Sequence, residues 1–363
     1  MHLRKLSLFN FRSYSTSDFE FSEGINCIVG GNGSGKTNLL DAIHFLSLTK
    51  SSISNIDQEN IKHGNDTFII RGEFQNDRRM DSVKCKVERA KRKDFFFNEL
   101  VYDRLSDHIG KLPLILMTPN DSELIRGGSD VRRKLIDNIL SQSNHEYLED
   151  YLKYNKVLKQ RNAALKRMFL TNRTDDTLLD AYDEELLTVG LKLYSVRSNF
   201  LNEFLSVFIE RYDMISGGSE NVTIGYKSDC ESISFKTEFR RSREQDIRLQ
   251  RTCLGIHRDD YIFMLDNSRI KQFGSQGQQK SFVLALKISQ ADIIKKQSGN
   301  LPLILMDDIF DKLDDFRIQR LLSYVVETGG QVFITDARPD RTKELLRKNK
   351  IEAEYTFINK EIE

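Results

Sequence analysis

The sequence lacks the patterns typical of membrane proteins, disulfide-rich proteins and zinc proteins. Its four cysteines contain no CxxC pair and its six histidines form no HExxH motif, so we expect neither a disulfide framework nor a zinc site. The most apolar run, residues 301–306, is far shorter than the roughly 18 residues of a membrane helix. The amino terminus has no apolar signal-peptide core. These absences favour a reducing cytoplasm and no membrane partner.

The sequence also lacks a large excess of charge of either sign. Lys and Arg number 55 and Asp and Glu number 54, so a nucleic-acid surface would have to come from local clusters of basic residues. Only four prolines occur among 363 residues, and there is no internal repeat or low-complexity tract. This length favours one large α/β domain with a helical insertion over a flexible string of domains.

A glycine-rich segment follows a short apolar strand and precedes an amphipathic helical pattern, and it matches the P-loop motif GxxxxGK[ST]. In a P-loop the backbone N–H groups surround phosphates, the lysine reaches the β and γ phosphates, and the hydroxyl residue binds Mg²⁺. An ordinary glycine turn before a helix is the alternative, but four glycines, Lys and Thr all fall in register. The predicted ATP-binding residues are Gly30, Gly31, Asn32, Gly33, Ser34, Gly35, Lys36 and Thr37.

An apolar run that ends in two carboxylates predicts a Walker B strand. Residues 303–306 read LILM and are followed by Asp307 and Asp308, and α/β sheets bind ligands at the carboxyl ends of their strands. Asp307 is predicted to hold Mg²⁺ with Thr37, and Asp308 to polarise the attacking water. We expect Lys36, Asp307 and Asp308 to be catalytic. A capped strand end would be the alternative if the P-loop were absent.

The two motifs lie roughly 270 residues apart, far more than a compact P-loop domain needs. This arrangement resembles SMC-like ATPases, in which an inserted arm separates two halves of one ABC-type head. Residues 130–212 have long helical periodicities. We therefore predict an α/β fold with a split head and a mainly helical second lobe. The predicted divisions are residues 1–118 and 251–363 for the ATPase and 119–250 for the insertion.

Three further segments occupy positions expected in an ABC-type head. The signature segment, predicted to complete the ATP site of a partner subunit, begins a helix, although a simple N-cap is the alternative. A D-loop and a switch region follow Walker B, with helix and turn capping as the alternative. The signature residues are Ser275, Gln276, Gly277, Gln278 and Gln279, the D-loop residues are Asp311 and Asp314, and the switch residues are Thr335 and Asp336.

Several motifs together resemble the RecF family of SMC-like ATPases. They include FNFRSY at residues 9–14, RR at 132–133 with Asp137, QRN at 160–162, HRDD at 257–260 and SQGQQ at 275–279. Ile256 departs from the family, which usually has Pro there. The resemblance implies that Arg12 contacts ATP. It also implies slow, DNA-stimulated ATP hydrolysis and an ATP-bound homodimer on duplex DNA at single-strand gaps. RecR and RecO as partners, the loading of RecA and a nucleoid-associated location are implied by it as well.

Local basic clusters supply candidates for DNA contact. A solvated face that binds nothing is the default for each cluster alone, whereas several clusters together could attract the phosphate backbone. The candidates are Arg92, Lys93, Arg132, Arg133, Lys156 and Arg161.

Other ATPase classes fit less well. A transporter subunit would have an LSGGQ signature and a shorter gap between motifs, and an SMC tether would need sustained heptads. An overcoming-lysogenisation-type nuclease would need an acidic domain after Walker B. An ATP-binding SMC-like scaffold or tether without specificity for DNA gaps remains the main alternative.

Overall fold

The computed structural model describes residues 1–76, 79–218, 220–310 and 313–358. Its contacts divide the chain into two units. Met1–Asp121 and Gln290–Glu363 form the first unit, and Ser122–Ser289 forms the second. The second unit is therefore inserted in the sequence of the first, and the predicted split α/β head with a helical insertion is confirmed.

The helices and strands are given in chain order. The first part of the chain contains β1 (His2–Phe11), β2 (Tyr14–Glu20), β3 (Ile25–Val29), α1 (Lys36–Leu48), β4 (Thr67–Asn76), β5 (Arg79–Glu88), β6 (Asp94–Phe97), β7 (Leu100–Val101) and β8 (Leu114–Met117). The middle contains α2 (Glu123–Arg126), α3 (Ser129–Ser143), α4 (His145–Thr171), α5 (Asp176–Ser216), β9 (Val222–Lys227), α6 (Phe235–Arg241), α7 (Arg243–Leu249), β10 (Asp260–Leu265), β11 (Ser268–Arg269), α8 (Ile270–Phe273) and α9 (Gln276–Ser298). The last part contains β12 (Leu303–Asp307), α10 (Asp315–Thr328), β13 (Val332–Asp336), α11 (Pro339–Lys348) and β14 (Ala353–Phe357).

The first unit is built from two sheets. One sheet is parallel, with strand order β14-β3-β13-β12-β8, and the other is antiparallel, with order β2-β1-β4-β5-β6-β7. One hydrophobic core contains residues of both sheets and of α1. Helix α1 is consequently buried on nearly all sides, whereas its sequence predicts one apolar stripe. Among the described helices none is long and apolar enough to cross a membrane.

A buried glutamine joins the two sheets of the first unit. The Gln331 Oε1 atom accepts a hydrogen bond of 2.7 Å from the backbone N–H of Leu3. Its Nε2 group donates to the carbonyl oxygens of Leu3 and Ser22 at 2.8 and 2.7 Å. Because the amide is fully hydrogen-bonded, its burial costs little, and it links the start of β1 to the residue before β13.

The second unit consists mainly of long helices with a small sheet. Asn144 caps α4 by accepting a hydrogen bond from the Tyr147 N–H at 3.0 Å, and Asp175 caps α5 in the same way through Leu178 at 2.9 Å. Helix α5 ends at Ser216, and the next residue, Gly217, has a φ of 96°, a conformation that glycine adopts without strain. These local signals explain where the two longest helices begin and where the longer one ends.

The boundaries between the units correct the predicted ones. The contacts place them after Asp121 and after Ser289, inside α9, whereas the sequence prediction places them after residues 118 and 250. Strand β10 lies beyond residue 250 but pairs with β9 in the sheet β11-β10-β9. The strand pattern that resumes after residue 250 thus belongs first to the insertion, and the head resumes only within α9.

A buried arginine on α4 links three parts of the second unit. Arg161 is 0% exposed. Its Nε donates to Asp183 at 2.7 Å, and its NH1 group donates to Asp246 at 2.7 Å and to Thr252 at 2.8 Å. These partners come from α5, from α7 and from the loop after α7. Arg161 therefore holds several segments together from inside the unit.

Arg197 on α5 has a similar role in the same unit. It is 1% exposed and forms ion pairs with Asp137 at 2.7 Å and with Asp259 at 2.8 Å. It also donates a hydrogen bond of 3.0 Å to the carbonyl oxygen of Ile256. The partners lie on α3 and in the segment just before β10, so the guanidinium joins these elements to the longest helix.

We predict that Arg161→Met lowers the free energy of unfolding by about 3–5 kcal/mol, because it leaves buried carboxylates without their cation. The measurement is urea unfolding followed by circular dichroism. Lys159→Met is the control, since Lys159 is an exposed residue on the same helix and should change stability by less than about 0.5 kcal/mol. Equal stability of the two variants would contradict this role of Arg161.

A buried histidine in the first unit makes stability depend on pH. Burial lowers the pKa of His108 to about 4, while its Nε2 atom lies 2.7 Å from the carbonyl oxygen of Leu46. In the unfolded chain the His108 imidazole takes up a proton near pH 6.5, whereas in the folded chain it does so only at about pH 4. We predict that this contribution to stability is complete above pH 6.5 and is lost as the pH falls towards 4. Urea unfolding at several pH values should show that the free energy of unfolding falls less between pH 6.5 and 4 in His108→Gln than in the parent. The same dependence on pH in both proteins would refute the prediction.

Candidate functional site

The P-loop residues lie at the carboxyl edge of the parallel sheet. Strand β3 enters the glycine turn and α1 begins at Lys36. Gly33 and Gly35 have φ of 75° and 107°, which side chains rarely permit. A Cβ on Gly30 would lie 2.4 Å from the carbonyl oxygen of Ile358. The loop conformation therefore requires glycine at these positions for steric reasons.

The lysine of the motif lies inside this loop. Lys36 is 5% exposed, and its Nζ donates to the carbonyl oxygens of Gly30 and Gly31 at 2.9 and 3.0 Å. These bonds bring the positive charge to the loop whose N–H groups and helix start favour anions. The Ser34 hydroxyl is buried there and has no hydrogen-bond partner. The loop thus offers a cation and a polar group to a phosphate.

The aspartate that ends β12 meets the threonine of the P-loop. Thr37 Oγ1 donates to Asp307 Oδ1 at 3.0 Å, although the residues are 270 positions apart. Thr335, at the end of β13, donates to the same oxygen at 2.8 Å. Strand order explains the meeting, because β13 lies between β3 and β12 and all three run parallel. The P-loop and Walker B segments predicted from sequence are brought together here.

Asp308 occupies a turn directly after this strand. Its φ is 47°, a left-handed conformation that Asp tolerates better than most residues. Its backbone N–H donates to Thr335 Oγ1 at 3.0 Å. The Thr335 hydroxyl therefore contacts both members of the acidic pair, Asp307 by its carboxylate and Asp308 by its backbone.

The second predicted switch residue has another role. Asp336 is buried, and its carboxylate accepts hydrogen bonds from the Arg338 N–H at 2.7 Å and from Thr342 Oγ1 at 2.5 Å. Both donors lie at the start of α11. Asp336 therefore holds the beginning of this helix, and Thr335 is the predicted switch residue that lies against the acidic pair.

Arg12 lies in the turn between β1 and β2, beside α1. Its Nε is 3.3 Å from Asp41 Oδ2, and its NH2 group donates to Ser51 Oγ at 3.1 Å. In the same turn the Tyr14 hydroxyl donates to the carbonyl oxygen of Gly35 at 3.1 Å. The turn is thus attached to the P-loop and to the helix that follows it. Asp41 was missed by the sequence analysis, although a lone carboxylate in an apolar helix was a signal that could have identified it.

The donor set at the strand ends fits Mg²⁺. This ion takes one or two protein oxygens and completes its octahedron with waters and phosphate oxygens. The Thr37 hydroxyl and the Asp307 carboxylate supply oxygens at one point beside the P-loop. In the part of the chain that the structure describes, no cluster of three or more carboxylate, histidine or cysteine groups could hold a metal alone.

The signature segment begins α9 and caps this helix with its own side chains. Gln278 Oε1 accepts from the Ser275 N–H at 2.6 Å, and Ser275 Oγ accepts from the Gln278 N–H at 3.2 Å. Gln279 Nε2 donates to the carbonyl oxygen of Gly274 at 3.0 Å. The segment, which includes Gln276 and Gly277 in the first turn, belongs to the second unit, whereas the P-loop belongs to the first.

Only part of the predicted D-loop can be described. Asp311 lies outside the described residues. Asp314 caps α10 by accepting a hydrogen bond of 3.0 Å from the Arg317 N–H, and it forms an ion pair with the Arg317 guanidinium. The observed contacts of Asp314 are therefore those of a helix cap.

One predicted DNA contact is wrong, and four others already have partners within the protein. Arg161 is completely buried, so it cannot reach a phosphate. Lys93 Nζ bonds the carbonyl oxygen of Thr49 at 2.6 Å and forms an ion pair with Asp57 at 2.8 Å. Helical periodicity and local charge could not reveal these partners, which come from distant parts of the sequence.

The remaining candidates differ in exposure. Arg132 forms two hydrogen bonds with Asp260, at 2.8 and 3.1 Å, and Arg133 donates to the carbonyl oxygen of Asp259 at 2.5 Å. Arg92 and Lys156 are exposed, although the Arg92 NH2 group also donates to the carbonyl oxygen of Asp103 at 3.0 Å. Arg92 and Lys156 are thus the predicted contacts whose charge faces solvent.

The sequence is similar to known proteins over nearly its whole length. The family model described as "RecF/RecN/SMC N terminal domain" matches residues 2–356. The "DNA replication and repair protein RecF" of Flavobacterium johnsoniae is 42% identical and covers 96% of this chain and 97% of its own. The protein of the same name from Cytophaga hutchinsonii is 43% identical and covers 96% and 93%.

The fold of this chain is also similar to solved structures. The chain matches "Structure of the recombination mediator protein RecF-ATPrS in RecFOR pathway" with a TM-score of 0.89 and 28% identity, over 99% of this chain and 96% of that one. An SMC head bound to a domain of ScpA matches with a TM-score of 0.55 and 18% identity, over 96% and 92%, and indicates a shared fold. Together these findings show that the chain belongs to the RecF family, within the wider group of SMC-like, ABC-type ATPase folds.

Proposed function

We propose that this chain is an ATPase of recombinational DNA repair that closes as a homodimer on duplex DNA at single-strand gaps. The convergence of Thr37, Asp307 and Thr335 beside the P-loop lysine carries the proposal, because ATP hydrolysis needs these groups together. The names of its relatives support the role in repair. The RecFOR pathway named for the matching structure supports RecR and RecO as partners. Their joint role on this proposal is to load RecA, in the cytoplasm beside the nucleoid.

Each residue of the site has a role in this reaction. The P-loop N–H groups and Lys36 bind the β and γ phosphates, while Thr37 and Asp307 hold Mg²⁺. The ion, when bound, neutralises phosphate charge. Asp308 orients and polarises the attacking water, and Thr335 keeps the turn of Asp308 next to Asp307 through its hydrogen bonds. Arg12, whose turn is attached to the P-loop by the Tyr14 hydrogen bond to Gly35 and to α1 by its own ion pair with Asp41, would contact ATP.

The position of the signature segment supports the proposed dimerisation. In an ABC-type head the signature completes the nucleotide site of a partner subunit, and here the helix start at residues 275–279 presents backbone N–H groups and a serine hydroxyl suited to a γ phosphate. ATP would then hold two subunits together at two such sites. Slow hydrolysis, stimulated by DNA, would open the dimer and reset it.

DNA binding rests on local charge, because the net charge is only +1. Arg92 and Lys156 are exposed cations that could contact the phosphate backbone without reading sequence. A homodimer doubles the number of such contacts. ATP-dependent closure therefore offers a way to switch the affinity for DNA.

We predict that Asp308→Asn lowers ATP turnover by about a hundredfold or more, because it removes the group that activates water, and that it accumulates the ATP-bound dimer. Phosphate release and sedimentation velocity with Mg–ATP measure the two effects. Asp340→Asn is the control, since it makes the same substitution at an exposed residue and should leave both unchanged. Turnover at the parental rate in Asp308→Asn would show that another group activates the water.

We predict that Mg–ATP strengthens binding to a gapped duplex by about tenfold and that Lys36→Met abolishes this gain. Fluorescence polarisation with gapped and intact duplexes of equal length measures it at fixed salt. Preference for the gapped duplex supports the repair role. ATP-dependent binding without that preference would favour the SMC-like scaffold or tether instead, and binding that ignores ATP would contradict the proposed switch.

A further inference from the structure

We infer that Glu220, which belongs to none of the motifs, is a positioning residue for the signature segment and connects it to the long helix α5. The inference rests on the proposed function, since it assumes that the signature segment completes a partner's ATP site. All groups involved lie within the second unit. They form one chain of hydrogen bonds from α5 to the first turn of α9.

The first link joins Glu220 to the side chain that caps α9. Glu220 Oε1 accepts a hydrogen bond of 2.7 Å from Gln278 Nε2. The Oε1 atom of the same amide accepts from the Ser275 N–H at 2.6 Å. Both ends of the Gln278 amide are therefore engaged, and its orientation is fixed by a carboxylate on one side and by the signature backbone on the other.

The second link joins Glu220 to α5. The Tyr212 hydroxyl donates to Glu220 Oε2, and Tyr212 lies in the last part of that 41-residue helix. Rings support the same connection, because Phe208 and Tyr212 lie 4.7 and 6.0 Å from Phe282 of α9. The aromatic contacts hold α5 against α9, while Glu220 is the polar link that reaches the signature residues themselves.

The hydrogen-bond pattern gives Glu220 a specific effect. Without its carboxylate, Gln278 Nε2 would lose a charge-assisted bond, and the amide would be free to leave the Ser275 N–H. Ser275 and the exposed N–H groups of the helix start would then occupy several conformations. A site that must present these groups to a γ phosphate depends on their being held in place.

The test compares Glu220→Ala with Glu220→Gln in the full chain. Glu220→Ala should lower kcat for ATP by about tenfold, the scale of one lost charge-assisted hydrogen bond, and should weaken ATP-dependent dimerisation. The affinity of the variant's own P-loop for a fluorescent ATP analogue should not change, because the P-loop does not include Glu220 or the signature segment. Glu220→Gln keeps an acceptor for Gln278 and should restore most of the turnover. Glu210→Ala, an exposed position on α5, is the control that should behave like the parent.

Mixing variants distinguishes a role in the signature from a role within the subunit's own site. Lys36→Met retains an intact signature and Glu220→Ala retains an intact P-loop, so one site of their heterodimer is complete. The mixture should hydrolyse ATP faster than the sum of the separate proteins. The same measurement with Lys36→Met and Ser275→Arg shows whether signatures act across subunits at all.

The outcomes separate the two hypotheses. If the Ser275→Arg mixture gains activity and the Glu220→Ala mixture does not, the inference about Glu220 is overturned while the proposed dimer stands. The inference also fails if Glu220→Ala keeps the parental kcat, or if it lowers ATP affinity and kcat together as misfolding would. If the Ser275→Arg mixture gains nothing, the proposed use of the signature across subunits falls, and the inference falls with it.

Discussion

The parallel pairing of β13 with both β3 and β12 is the constraint on which the site depends. It sets the carboxyl ends of these strands side by side, so that Thr37 and Thr335 donate to one oxygen of Asp307. Two strands of the three arrive only after the inserted unit has been traversed. Since sheet register is fixed by pairing and by burial on both faces, the insertion can be long without disturbing the geometry of the site.

A second kind of constraint operates in the inserted unit, where arginines are buried with carboxylates. Burying such ions is costly unless every partner is in place, and Arg161 and Arg197 each have several. Arg161, Asp137 and Asp259 all come from motifs that carry the family resemblance. In this structure these motif residues form the polar interior of the unit. Their role within the fold is to set how the helices and the small sheet pack.

The features that could be predicted from the sequence are those whose functional residues lie close together in one segment of the chain. The P-loop is contiguous and its glycines are needed for steric reasons. The apolar run before Asp307 predicts a strand, and the change to a carboxylate predicts where that strand ends. Burial of a charged residue is different, because it depends on partners far away in sequence. Arg161 has the spacing of an exposed helical face and nevertheless lies in the interior. The boundary after residue 250 failed for a related reason, since the pairing of β10 with β9 is a tertiary choice.

Several basic side chains are paired with other groups of the protein, and this affects how the protein would bind DNA. Lys93, Arg132, Arg133 and Arg161 all have carboxylate or carbonyl partners, so local clusters of basic residues overstate the charge available to phosphates. Affinity for DNA that comes from neutralised phosphates grows with the number of free cations. If a single subunit contributes few free cations, joining two subunits on one duplex raises the number of cations that contact phosphates without adding residues to the chain. On the proposed function, ATP would therefore control DNA affinity through assembly, and the signature segment that completes the partner's site would matter for DNA binding as much as for hydrolysis.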